Sequence, residues 1–183
     1  MTAVIALLRA VNVGGTGKLK MEELRALCEA IKLQNPRTYV QSGNIVFGTK
    51  EKNLVRLATR IEDAIEERFT FRPPVILRTA DELRDIVQRN PFAGRDGIEP
   101  GKLIAIFLPS DPGEDARQMA RGIKADPEEV HLSGRELYIY FPVGQGKSKL
   151  QMPPFDRALK MKGTGRNWNS VMNLLEMAED LEA

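Results

Sequence analysis

Two nine-residue stretches, YVQSGNIVF at 39–47 and VHLSGRELY at 130–138, set the same Ser-Gly pair between strand-forming residues. Such a pair between alternating segments signals a β-hairpin. One hairpin in each half of the chain predicts two copies of one architectural unit.

The residues around the first hairpin fill in that unit. Residues 3–9 are apolar and β-branched enough for a buried strand. After a glycine loop, Met21, Leu24, Leu27, Cys28 and Ile31 recur at helical spacing. Residues 37–41 and 44–47 are the hairpin strands. Leu54, Leu57, Ala58, Ile61, Ile65 and Phe69 predict a long amphipathic helix ending near Thr70. Pro73-Pro74 stops it, and Val75–Arg78 is a short strand. The order β-α-β-β-α-β is that of a ferredoxin-like unit. Thr79-Ala80-Asp81-Glu82 is a capping box opening a further helix, which Asn90-Pro91 ends.

Residues 91–101 look like a linker. Leu103–Leu108 is a strand, and a helix starts at Asp111-Pro112-Gly113-Glu114 with Asp111 as N-cap. Val130–Leu132 and Glu136–Phe141 form the second hairpin, and a last helix runs from about Trp168. The second half thus reads β-α-β-β-α, without a closing strand, and 144–165 shows no clear element. The expected fold class is α+β, two ferredoxin-like (βαββα) subdomains in tandem: 1–79, a connecting helix and linker at 80–101, and 102–183.

The chain's 183 residues are enough to bury a core without disulfides. A net charge of +2 falls short of a nucleic-acid footprint. The one cysteine, Cys28, permits no internal disulfide and no cysteine metal cluster. It lies on an apolar helix face, where a free cysteine acts as a small hydrophobe. The apolar start reads as a strand rather than a secretion signal, and no run approaches the ~18 residues of a membrane span. A reducing, cytoplasmic setting with no metal and no cofactor is the expectation.

The stretch VNVGGTGKLK at 11–20 resembles a phosphate-binding loop, which requires G-x-x-x-x-G-K-[ST]. With Gly17-Lys18 in place, the first glycine position is Asn12 and the hydroxyl position is Leu19, so the motif fails twice. The dinucleotide fingerprint fails at Lys20. In Gly144-Gln145-Gly146-Lys147-Ser148, Phe141 occupies the first glycine position, and Pro153-Pro154 stands where a helix would have to follow. Neither loop is a nucleotide triphosphatase site.

Both loops nevertheless set glycines beside alternating lysines: Gly14, Gly15, Lys18 and Lys20 in one, Lys147 and Lys149 with Ser148 in the other. The first precedes a helix, whose free N–H groups and dipole favour an anion. Arg166 stands just before the last helix, with Asn167 as N-cap, and its fork suits phosphate or carboxylate. Arg9 ends the first strand beside the first loop.

At these residues the chain resembles the bacterial family called domain of unknown function 1697. ALLRAVNVGG, KMEEL, TYVQSGNIVF, GQGKSKL and GRNWNSV carry the resemblance, which runs over nearly the whole chain. It implies a pair of ferredoxin-like subdomains and no established activity. It also singles out Arg9, Asn12, Gly14, Gly15, Ser42, Gly43, Asn44, Arg166, Asn167 and Trp168. Two positions depart from the pattern: Ala10, where glycine is expected, and Gly165, where threonine or alanine is expected.

The lone histidine, His131, selects no catalytic set, and no metal-binding spacing appears. The reading is a protein that binds a small anionic, phosphorylated ligand between the Gly14-Gly15 loop, Arg166 and Lys147. Two alternatives stand beside it. One is RNA or single-stranded nucleic-acid binding on an open sheet face carrying Tyr39, Tyr138 and Tyr140. The other is a dimeric protein-interaction module. Asn12 and Asn44 have a plainer role available as turn caps, and Trp168 as core.

Overall fold

The computed structural model of the chain describes residues 1–15 and 17–183. Thr16, inside the first glycine loop, lies outside the described residues. The fold is mixed α and β, with two four-stranded antiparallel sheets. The chain divides into two compact units: Met1–Asp85 with Asn173–Ala183, and Ile86–Met172.

The first unit contains β1 (Thr2–Leu8), α1 (Met21–Ala30), β2 (Gln34–Tyr39), β3 (Asn44–Thr49), α2 (Leu54–Phe69) and β4 (Val75–Thr79). Its strand order is β2-β3-β1-β4, with every neighbouring pair antiparallel. The element order is the expected one, but β2 runs Gln34–Tyr39 rather than 37–41, with residues 40–43 forming the turn. Asn53 caps α2 by accepting from the Arg56 amide at 3.0 Å, and Thr70 ends the helix in the left-handed region. Leu57, Ile61 and Ile65 are fully buried, packing with Val4, Ala6 and Leu8 of β1 and with Leu24 and Cys28 of α1 in one core. Burial and neighbouring Glu29 push the Cys28 thiol up to about 12, so it stays a neutral hydrophobe. Alternate residues of the same sheet, Ile5, Leu7, Val46 and Arg78, are buried as well, which makes it a sheet with two buried faces.

α3 (Ala80–Gln88) follows β4 without a loop. Its capping box is complete: the Thr79 amide donates to Glu82 Oε2 at 2.8 Å, and the Glu82 amide donates to Thr79 Oγ1 at 3.1 Å.

The second unit contains β5 (Leu103–Phe107), α4 (Glu114–Arg121), β6 (Glu129–Ser133), β7 (Glu136–Tyr140), α5 (Pro153–Leu159) and β8 (Thr164–Asn167), and α6 (Trp168–Glu182) starts in it. Its strand order, β6-β7-β5-β8, is that of the first sheet.

Five expectations for this half need correction. A closing strand does exist: β8 pairs antiparallel with β5, Ala105 opposite Arg166. The segment 144–165 is not structureless, since it holds a 3₁₀ turn at Gln145–Lys147 and α5. Pro153 and Pro154 open that helix rather than preventing it, because proline's fixed φ suits the first helical turn and its missing N–H has no partner to lose there. The N-cap of α4 is Gly113, two residues beyond Asp111, whose carboxylate accepts from the Gly113 amide at 2.8 Å. Finally, residues 91–101 are more than a spacer. Phe92 is buried, edge-on to His131 with ring centroids 5.2 Å apart, and the Glu99 amide donates to the Tyr140 hydroxyl.

Candidate functional site

The first glycine loop is tied together by Asn12. Its side-chain amide donates to the Leu19 and Gln41 carbonyls, both at 2.8 Å, and its Oδ1 accepts from the Leu19 amide at 2.8 Å. One side chain therefore closes the loop and joins it to the β2–β3 turn. The Asn12 amide donates to the Gly17 carbonyl at 3.0 Å. Gly17 has φ +60°, and a Cβ there would lie 2.6 Å from the Ala10 carbonyl oxygen, so glycine is required on two counts. Ala10 itself has φ +57°, a conformation in which glycine carries no Cβ penalty.

Gly14, Gly15, Lys18 and Lys20 are exposed, and Arg9 is half-buried. Among the described residues, the Lys20 side chain makes no capping bond to α1. Ser42 and Asn44 build the hairpin turn. Asn44 is fully buried, and its amide donates to the Tyr39 carbonyl at 2.9 Å and to Ser42 Oγ at 3.0 Å.

Arg166 is not in a loop before the last helix. It lies within β8 and is buried. Its guanidinium donates to Thr164 Oγ1 at 2.8 Å and to the Gly165 carbonyl at 2.9 Å. Desolvation pulls its pKa down to about 10. Asn167 is the N-cap of α6, its Oδ1 accepting from the Asn169 amide at 2.9 Å, while its amide donates to the Gly101 carbonyl. Trp168 is buried 6.1 Å from the Tyr138 ring.

Tyr138 is fully buried and donates its hydroxyl proton to the Ile86 carbonyl at 2.7 Å. Tyr140 is 9% exposed, and Tyr39 Oη accepts from the Asn173 amide at 3.0 Å. Stacking of bases needs an exposed ring face, and Tyr138 and Tyr140 present none.

The second glycine-lysine loop borders a cavity of about 510 Å³ that lies wholly in the second unit. The residues after α4, those between β7 and α5, and Pro154 of α5 border it, and it is open to solvent on one side. Lys124, Lys147 and Lys149 line it beside Asp126 and Glu128, and Ile123, Val143, Leu150 and Pro154 make an apolar wall. Ser148 supports that wall. It donates to Glu128 Oε1 at 2.6 Å and accepts from the Leu150 amide at 3.1 Å, so its single proton is already engaged. Of the expected residues, Lys147 and Lys149 of this loop meet at this cavity. Lys124 was missed, and it follows an Ile at a helix end that carries no motif of its own.

Among the described residues, no group of three or more His, Cys, Asp or Glu is placed to hold a metal ion, and no helix is long and apolar enough to cross a membrane. No curated protein matches the chain. Among solved structures, a conserved bacterial protein from Streptococcus pneumoniae superposes with a TM-score of 0.74 over 97% of this chain and 98% of its own, at 19% identity. That likeness establishes a shared fold. The sequence profile described as protein of unknown function (DUF1697) matches residues 1–138, three-quarters of the length. The chain therefore belongs to the DUF1697 family.

Proposed function

We propose that the protein binds a small phosphorylated ligand in the lysine-lined cavity of its second unit. The observation that carries this reading is the convergence of Lys124, Lys147 and Lys149 on one cavity of about 510 Å³. That volume falls in the range of roughly 300–1,000 Å³ typical of small-molecule sites. Three ammonium groups supply charge for a phosphate, while Asp126 and Glu128 set a limit on how much negative charge is welcome. The apolar wall favours a ligand whose phosphate is joined to a less polar body, such as a nucleoside or an aromatic ring. Arg166 plays no direct part, because it is buried in its strand.

Within this reading each unit is a ferredoxin-like half of a tandem, supported by the common strand order. The setting is cytoplasmic, supported by a single cysteine that is buried and un-ionised.

The test is thermal unfolding with nucleotides, sugar phosphates and short RNAs, on the wild type and on Lys147→Glu/Lys149→Glu. A ligand at ~100 times its dissociation constant adds about 2.7 kcal/mol of stability. The expected result is a higher melting temperature with one class of phosphorylated small molecule, lost in the double variant. Stabilisation by RNA alone, falling steeply with salt, would replace this reading with nucleic-acid binding.

A further inference from the structure

The cavity of the second unit has a counterpart in the first. In the first sheet, the connection after α1 and the connection between β3 and α2 meet around a cleft of about 490 Å³. Ile31, Lys32 and Gln34 line it from one side, Thr49, Lys50 and Glu51 from another, and Arg60 of α2 completes it. These are the same two connections that border the second unit's cavity, in sheets of the same strand order. The sequences agree locally: IKLQNP at 31–36 and IKADP at 123–127 each follow a helix end, and each places its lysine in the cavity wall.

We infer that the first unit carries a second anion site, made of Lys32, Lys50 and Arg60, that takes a bare polyanion such as pyrophosphate. Arg60 is fixed there by donating to the Ile31 carbonyl at 3.0 Å. That bond engages a carbonyl at the negative end of α1, which would otherwise oppose an anion. The one carboxylate in the wall, Glu51, is already occupied. It accepts from the Asn53 amide at 3.0 Å and faces the Arg56 guanidinium at 4.0 Å. Three cations therefore line the cleft against one carboxylate, whose charge is met by the Asn53 amide, Arg56 and, in part, Arg60. The ligand class follows from the lining. The second unit's cavity has a broad apolar wall, whereas Ile31 is the only large apolar residue here. Nothing in this cleft rewards a hydrophobic body, so the anion itself is what it selects. The inference rests in part on the reading of the second unit's cavity, through the equivalence of the two places.

The experiment is calorimetric titration of the full chain with pyrophosphate at low salt, on the wild type and four double variants, with folding checked by melting temperature. The expected result is two sites per chain. Lys32→Glu/Lys50→Glu removes one, Lys147→Glu/Lys149→Glu removes the other, and Lys18→Glu/Lys20→Glu leaves both. Each loss is about tenfold or more in affinity, as reversal of two charges beside a polyanion requires. Lys32→Arg/Lys50→Arg retains the first site, which separates charge from a fault in folding. If Lys32→Glu/Lys50→Glu changes nothing while Lys147→Glu/Lys149→Glu abolishes all binding, this inference falls and the proposed function stands. If Lys32→Glu/Lys50→Glu abolishes all pyrophosphate binding while Lys147→Glu/Lys149→Glu changes neither that nor the binding of adenosine monophosphate, the inference stands and the proposed function falls. Equal weakening by all three reversals, Lys18→Glu/Lys20→Glu included, indicates diffuse attraction and overturns the inference, as does no binding at all.

Discussion

The two glycine-lysine loops have similar composition and opposite organisation. At 11–20 the side chain of Asn12 holds the loop shut, Leu19 is buried, and Gly17 has no room for a side chain. At 144–149 a Cβ added at Gly144 or Gly146 would meet nothing, and the lysines stand at the rim of a cavity. The first loop uses its glycines to turn the chain from β1 into α1. The second uses its length to line a space. Glycine beside lysine is thus no evidence of an anion site until the neighbours of each residue are known.

Stability measurements can break this contrast. The largest effect belongs to Gly17→Ala, which combines the left-handed penalty with a clash on the Ala10 carbonyl. It should destabilise by about 3 kcal/mol in denaturant unfolding. Asn12→Ala comes next, at about 2 kcal/mol, because it removes three hydrogen bonds and strands the Leu19 amide. Ala10→Gly works in the other direction: relief of about 1–2 kcal/mol of left-handed strain outweighs the added freedom of the unfolded chain, for a net gain of roughly 0.5 kcal/mol. Gly146→Ala should leave the melting temperature unchanged, within about 0.5 kcal/mol. Equal costs for Gly17→Ala and Gly146→Ala would erase the distinction between the loops.

The first unit is legible in the sequence because its elements obey simple periodicities. Its helices alternate on a 3.6-residue repeat, its hairpin has a Ser-Gly turn, and α3 announces itself with Thr79 and Glu82. The second unit hides two elements for physical reasons. β8 has four residues, one a glycine, and its central side chain is an arginine that burial alone would not recommend. α5 opens with two prolines, which read as breakers unless the helix begins there. The candidate site was half legible. Lys147 and Lys149 stood out through their glycines, whereas Lys124, beside them in the second unit's cavity, belongs to no motif, and neither do Lys32, Lys50 and Arg60 around the first unit's cleft. That Arg166 lies within a strand and donates to Thr164 and the Gly165 carbonyl of that same strand was not legible in the sequence.

The central claim is that the ligand binds at the second loop's cavity and not at the first loop. The most direct measurement is a titration of the isotopically labelled chain with adenosine monophosphate, followed by amide chemical shifts. The account predicts saturable shifts at Lys124, Gly146, Lys147 and Lys149, with Gly14, Gly15 and Lys18 unmoved. Saturable shifts at Gly14, Gly15 and Lys18 with the second loop silent would contradict it.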